Sequence, residues 1–219
     1  MRAYFWITVG LTLLASGIFS NYPQIDLEVA KYFYNGGFMG ESAEAKAIRG
    51  AFYGFPIAVC LGIVAAKSFK LPPAWTPSSR TIIFVTLSMA IGPGLIVNLI
   101  FKDNWHRPRP IQVTQFGGPH EFRPIWTRDG ACDKNCSFVS GETSSSFWLV
   151  GPASLAPPPY RVPAVAAALG VGVATAYLRM AFGGHFLSDV IFAALFTLLV
   201  VIFMRAMVFP QLRPGPPQL

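Results

Sequence analysis

Apolar residues along this chain gather into six uninterrupted blocks. Residues 3 to 20, 50 to 66, 81 to 101, 143 to 160, 162 to 178 and 190 to 204 contain no Lys, Arg, Asp or Glu, and each block is 15 to 21 residues long. A helix needs about 20 residues to cross the hydrocarbon of a bilayer, and flanking apolar residues such as Ala206 to Phe209 lengthen the shortest block. The pattern predicts an all-α fold: a six-transmembrane helix bundle in which residues 1 to 219 form a single integral membrane domain. The fourth block ends in Pro157, Pro158 and Pro159, and Gly92-Pro93-Gly94 predicts a kink in the third. Residues 1 to 20, with Arg2 ahead and Ala15-Ser16-Gly17 near the end, also have the outline of a cleavable leader, although the apolar stretch is long for that role. Between the first two blocks, Ile25, Val29 and Phe33 recur at helical spacing among Asp26, Glu28 and Lys31, which fits either a short interfacial helix or a polar loop.

Composition narrows the class. Hydrophobic residues make up 53% of the chain and charged residues 12%, against about 25% charged in soluble domains. Soluble and disordered chains are thereby excluded. The loop at residues 67 to 80, with Lys67, Lys70 and Arg80, and the turn at Arg161 carry cations without acids, so the positive-inside rule places them and both termini, with Arg2, Arg205 and Arg213, in the cytoplasm. The long loop at residues 102 to 142 then faces outward. It holds six of the 17 basic residues together with His106, His120 and two cysteines, and cations on that side call for a use of their own. Cys132 and Cys136 can close a disulfide in an oxidising compartment; a zinc site would need His120 and a further ligand. Cys60, within the second block, is a packing residue. The net charge of +7 lies between membrane segments and not on a soluble face, which points away from nucleic acid and towards an anionic membrane lipid as partner.

Parity along the bundle locates the chemistry. Lys102 follows the third block, Ser140-Gly141-Glu142 precedes the fourth, Arg179 follows the fifth and His185 precedes the sixth, so in an alternating bundle all four points share one membrane face. Lys102, Arg107, Arg109 and Arg179 on that face make a phosphate site, because guanidinium forks match phosphate oxygens. Ser140 and Gly141 open a helix, whose N-terminus also favours an anion. His185 and Asp189 are four residues apart at a helix head and therefore neighbours, so the carboxylate can fix the imidazole tautomer and leave the other nitrogen as a base or nucleophile.

These residues resemble the type 2 phosphatidic acid phosphatase superfamily, which shares its site with vanadium haloperoxidases. Lys102 to Pro110 matches K-x6-R-P, Ser140-Gly141 matches the S-G of P-S-G-H, and Arg179 through His185 to Asp189 matches R-x5-H-x3-D. The resemblance spans residues 81 to 204, and Pro23-Gln24-Ile25-Asp26-Leu27 is similar to bacterial members acting on envelope lipids. It implies a metal-independent phosphatase without cofactor, in which His185 forms a phosphohistidine, Asp189 holds its ring, and Lys102, Arg109, Arg179, Ser140 and Gly141 bind the phosphoryl group. Arg107, between motif positions, is expected as a rim contact. Lipid A phosphate is the favoured substrate; a polyprenyl diphosphate, phosphatidylglycerol phosphate or phosphatidate also fits.

One position departs from the family. Glu142 stands where P-S-G-H has the histidine that protonates the leaving alcohol. Glu142 can take that role if its surroundings keep it protonated, His106 or His120 can replace it, or the leaving group can need little protonation. A reading of another class also remains: a transporter or lipid-binding protein that uses the cationic pocket to hold an anion, for which the His185 and Asp189 pair is not required.

Overall fold

The computed structural model describes residues 2–40, 42–69, 72, 76–102 and 104–210; Lys70, Asp103 and Arg213 lie outside them. The described chain is helical, without strands. Helix α1 spans Arg2–Asn21, α2 Gln24–Tyr32, α3 Ala43–Ala66, α4 Ser79–Met89, α5 Gly141–Trp148, α6 Val150–Ala153, α7 Pro158–Ala181 and α8 Leu187–Val208. Local sequence sets several of these boundaries. The hydroxyls of Ser42, Ser78 and Ser140 accept the backbone N–H three residues on and cap α3, α4 and α5. Pro158 and Pro159 open α7, where a missing N–H costs nothing.

Five helices are long and apolar enough to cross a membrane: α1, α3, the run Ser79–Phe101, α7 and α8. Tyr4, Trp6, Leu13, Leu61, Phe203 and Met207 stand exposed on them, an arrangement that suits lipid and not water. This is a multi-pass membrane chain. The expected kink in the third block takes the form of a change in winding: α4 passes into a π-helical segment, Ala90–Phe101, that contains Pro93, whose ring cannot donate to the regular ladder.

The fourth block differs from the expectation of one long helix. It is divided between α5 and α6, which meet at Leu149, and at about 1.5 Å per residue their 13 residues reach roughly 20 Å. Burial explains the shortness. Gly141 and residues 143 to 148 are all buried, because α5 lies among α3, the π-helical segment, α7 and α8. Small hydroxyl residues allow this: Ser144 pairs with Thr197 at 2.5 Å and Ser146 with Thr175 at 2.8 Å. Below them Trp148 packs with Phe84, Val85 and Val201, and its Nε1–H donates to Ser88 at 2.8 Å. Cys60 belongs to the same cluster and carries a free thiol.

Segment 104 to 140 closes one end of the bundle. Trp105, Ile125, Phe138 and Val139 bury themselves against Phe19 of α1 and Phe192 of α8, and Trp105 Nε1–H donates to the Ile125 carbonyl. Cys132 and Cys136 are bonded to each other, with Cα atoms 5.7 Å apart. The predicted short helix after the first block is α2. It packs against α8 and buries Asp26 and Ala30.

Candidate active site

A cavity of about 650 Å³ opens where α3, the π-helical segment, α5 and the end of α7 converge. Among the described residues, Lys46, Arg49, Lys102, Arg109 and Arg179 line it with a single carboxylate, Glu142. Further along α3, and along α4 and the π-helical segment, the lining turns apolar, with Ile57, Met89 and Pro93. The cavity is thus cationic at one end and greasy at the other. Of the phosphate-binding residues expected from sequence, Lys102, Arg109, Gly141 and Arg179 meet here.

Arg179 is 3% exposed, and its Nε is a buried donor with no hydrogen-bond partner among the described residues; the nearest carboxylate oxygen, Glu142 Oε1, is 3.6 Å away. A buried guanidinium donor left without an acceptor is costly, and a tetrahedral oxyanion in the cavity would satisfy it. The placement depends on Gly184, where a Cβ would stand 2.3 Å from Arg179 Nη2. Arg109 is anchored on Asn135, whose carbonyl accepts from Nη2 at 2.8 Å. Burial and the Arg49 charge lower its pKa against the pull of Asp189 and Glu142.

His185 sits in the turn between α7 and α8, 2% exposed, and is not among the residues lining the cavity. Its Nδ1 is 2.7 Å from the Ser137 carbonyl, so Nδ1 carries the proton and Nε2 keeps its lone pair. Asp189 Oδ2 is 3.9 Å from Nδ1, outside hydrogen-bond range; the direct contact expected from the i, i+4 spacing is replaced by a relay. Ser137 donates its hydroxyl to Asp189 Oδ2 at 2.5 Å while its carbonyl holds the imidazole. Burial, followed by Arg179, Arg109 and Lys102, pushes the His185 pKa well below its ordinary value. The ring is therefore neutral at neutral pH, as a nitrogen nucleophile must be.

Glu142 accepts from Arg49 Nε at 3.1 and 3.2 Å and from Nη2 at 2.5 Å. Glu142, the one acid lining the cavity among the described residues, therefore holds arginine donors that an anion would also use.

Other expected residues are placed differently. Arg107 is not a rim contact: it is fully buried and bridges Asp26 at 2.7 Å and Asp189 at 2.6 Å. Burial opposes its charge, and Asp189 and Asp26 outweigh the burial and raise its pKa. Removing one partner from such a pair costs about 3–5 kcal/mol, so Arg107 is tied to the fold in a way that a rim residue is not. Ser140 is buried and accepts from Thr143 Oγ1 at 2.9 Å as the cap of α5, leaving Gly141 to face the cavity. His106 lies against the Cys132 carbonyl at 2.9 Å, and His120 continues the backbone bridge with Val113; neither lines the cavity. Sequence reasoning did not assign Arg49, Lys46, Ser137 or the burial of Asp26. For Arg49 a signal existed, because it precedes the second block and parity puts it on the same face as Lys102.

A family model described as PAP2 superfamily matches residues 81–213. A lipid A 4'-phosphatase of Francisella tularensis subsp. novicida (strain U112) is 36% identical over 208 residues, covering 89% of this chain and 91% of that protein. Lipid A 4'-phosphatases of Rhizobium leguminosarum and Rhizobium etli are each 32% identical over 206 residues, covering 84% of this chain and 87% and 79% of those proteins. No solved structure matches the chain at a significant level.

Proposed function

The chain belongs to the PAP2 superfamily, and on that premise we propose that it is a membrane lipid phosphatase which removes a phosphate from lipid A through a phosphohistidine at His185. The observation that carries this reading is the buried Nε of Arg179, without a hydrogen-bond partner among the described residues, in a cavity that Lys46, Arg49, Lys102 and Arg109 also line. The relatives named lipid A 4'-phosphatase supply the substrate, and the apolar depth beside Ile57, Met89 and Pro93 suits acyl chains.

The phosphate monoester enters with its oxygens towards Arg179, Arg109 and Lys102, and the first turn of α5 presents Gly141 to the same charge. Nε2 of His185 attacks phosphorus as the bond to the sugar oxygen breaks, and the cations neutralise the three equatorial oxygens. The imidazole becomes cationic in this step; the Ser137 carbonyl and the Asp189 charge behind it hold that cation. Water then attacks phosphorus, the P–N bond breaks, and inorganic phosphate leaves. Phosphoryl oxygens compete with Glu142 for Arg49 and Arg179. Once displaced, Glu142 is the cavity's candidate to pass a proton to the leaving sugar oxygen and to recover one from the attacking water.

Two outcomes test these assignments. Glu142→Gln should lower kcat about a hundred-fold while inorganic phosphate inhibits at lower concentration, because the competitor for the arginines is gone; a parental rate would remove Glu142 from proton transfer. Lys102→Met removes one of the cations that hold the His185 pKa down. The variant's histidine takes up a proton at higher pH, so the acid limb of the kcat/KM profile should move to higher pH. An unmoved limb would mean that Lys102 does not act on the nucleophile.

In the membrane, α5 and α6 form the short fourth of six crossings. That keeps the cavity, the loop at 102 to 142 and the cystine on the periplasmic side of the inner membrane, where a disulfide persists.

A further inference from the structure

Asp26 stands apart from the superfamily motifs, since it lies outside the matched residues 81–213. It is nonetheless 1% exposed and wired to the site. Its Oδ1 accepts from the backbone N–H of Ser188 at 2.8 Å, and its Oδ2 accepts from Ser188 Oγ at 2.6 Å and from Arg107 Nη2 at 2.7 Å. Arg107 Nη1 continues to Asp189 Oδ1 at 2.6 Å. The other oxygen of Asp189 accepts from Ser137 and from the Phe186 N–H at 2.8 Å, and the Ser137 carbonyl accepts from His185 Nδ1–H. The guanidinium carbon lies over the ring of Phe186, the residue after the histidine, 4.6 Å from its centroid.

We infer that Asp26, acting through Arg107, is a positioning residue for His185, supplied by α2 from outside the catalytic motifs. The inference rests on His185 being the nucleophile. Two carboxylates share one guanidinium, so neither Asp189 oxygen is free to swing onto the imidazole, and Asp189 stays fixed on Ser137 and Phe186. Asp26 also caps the first turn of α8 from another helix, which sets where that turn begins relative to His185. With Asp26 neutral, Arg107 has a single charged partner left and draws Asp189 towards itself. The relay through Ser137 loosens, and Nε2 loses its aim at phosphorus while the cavity that binds the phosphate is unchanged.

The test compares full-length parent, Asp26→Asn and Ser188→Ala, each purified in detergent, for kcat, KM, thermal midpoint and inhibition by inorganic phosphate. Asp26→Asn keeps the shape and the acceptor for the Ser188 N–H. Its kcat should fall at least about tenfold while KM and the phosphate inhibition constant stay within about twofold. Ser188→Ala removes the hydroxyl between Asp26 and Arg107 with both charges kept, and kcat should fall about threefold in the same pattern. A parental kcat in folded Asp26→Asn overturns the inference, as does a fall in kcat matched by an equal loss of phosphate binding, which marks a purely structural role. Should Asp26→Asn fail to fold, Ser188→Ala decides alone, and a parental kcat there also overturns it. Absence of phosphate release by the parent would instead count against the phosphatase reading itself.

Discussion

Replacing His185 with Ala is expected to slow phosphate release from lipid A by at least about ten-thousand-fold, to the level left when a covalent catalyst loses its nucleophile and keeps only its binding groups. The geometry makes the loss one-sided. His185 is held by the Ser137 carbonyl and not by the lining cations, so the side chains that hold the phosphate keep their places, and KM should change little. Its Nδ1 contact to Ser137 at 2.7 Å is lost, but a single neutral hydrogen bond contributes only about 1 kcal/mol, so the variant should fold. Rapid acid-free quenching of the parent with labelled substrate should trap label that is stable to base and labile to acid. The variant should trap none. Label on the variant, or unchanged turnover, would remove His185 from the nucleophile's role.

The second largest effect is expected at Arg179. Arg179→Gln should reduce kcat by about a thousand-fold, in the range found when one charged donor is taken from a phosphoryl or oxyanion site. Part of this comes from the fork itself. The Nε of Arg179 is buried without a hydrogen-bond acceptor among the described residues, so it is available to a phosphoryl oxygen. Arg179→Lys should recover little, because a point charge cannot replace a planar fork that lies against Gly184. Arg179→Gln also removes one of the cations that lower the His185 pKa, so its acid limb of activity should move to higher pH, whereas Arg179→Lys keeps the charge and should leave the limb near the parent's. A Gln variant within tenfold of the parent would show that the partnerless Nε is not a phosphate ligand.

The membrane class and the helices with uninterrupted apolar stretches were legible because a bilayer imposes length and excludes charge. The fourth block was not legible as two short helices. Its apolar composition reads the same whether a segment faces lipid or fills the middle of a bundle, and only the run of Ser144, Ser145 and Ser146 hinted at burial against other helices. Among the site residues, Lys102, Arg109, Gly141 and Arg179 could be collected on one face by counting crossings. Their distances could not. Arg49 immediately precedes the second block, so the same counting reaches it, although α3 begins six residues earlier at Ala43 and carries it within a helix. Arg107 was misread for a physical reason: exposed and buried arginines look alike in sequence, and its partner Asp26 is 81 residues away. The Ser137 carbonyl could not be found from side-chain patterns, since any residue supplies a carbonyl and only the path of the backbone aims it.

The most direct measurement is free phosphate released by the purified, detergent-solubilised chain from lipid A, a polyprenyl diphosphate, phosphatidylglycerol phosphate and phosphatidate, with His185→Ala beside it. Phosphate release is expected, fastest from lipid A, and falling to background in the variant. A folded parent that binds lipid A and releases phosphate from none of the four would contradict the phosphatase reading and leave a protein that only holds or carries the anion.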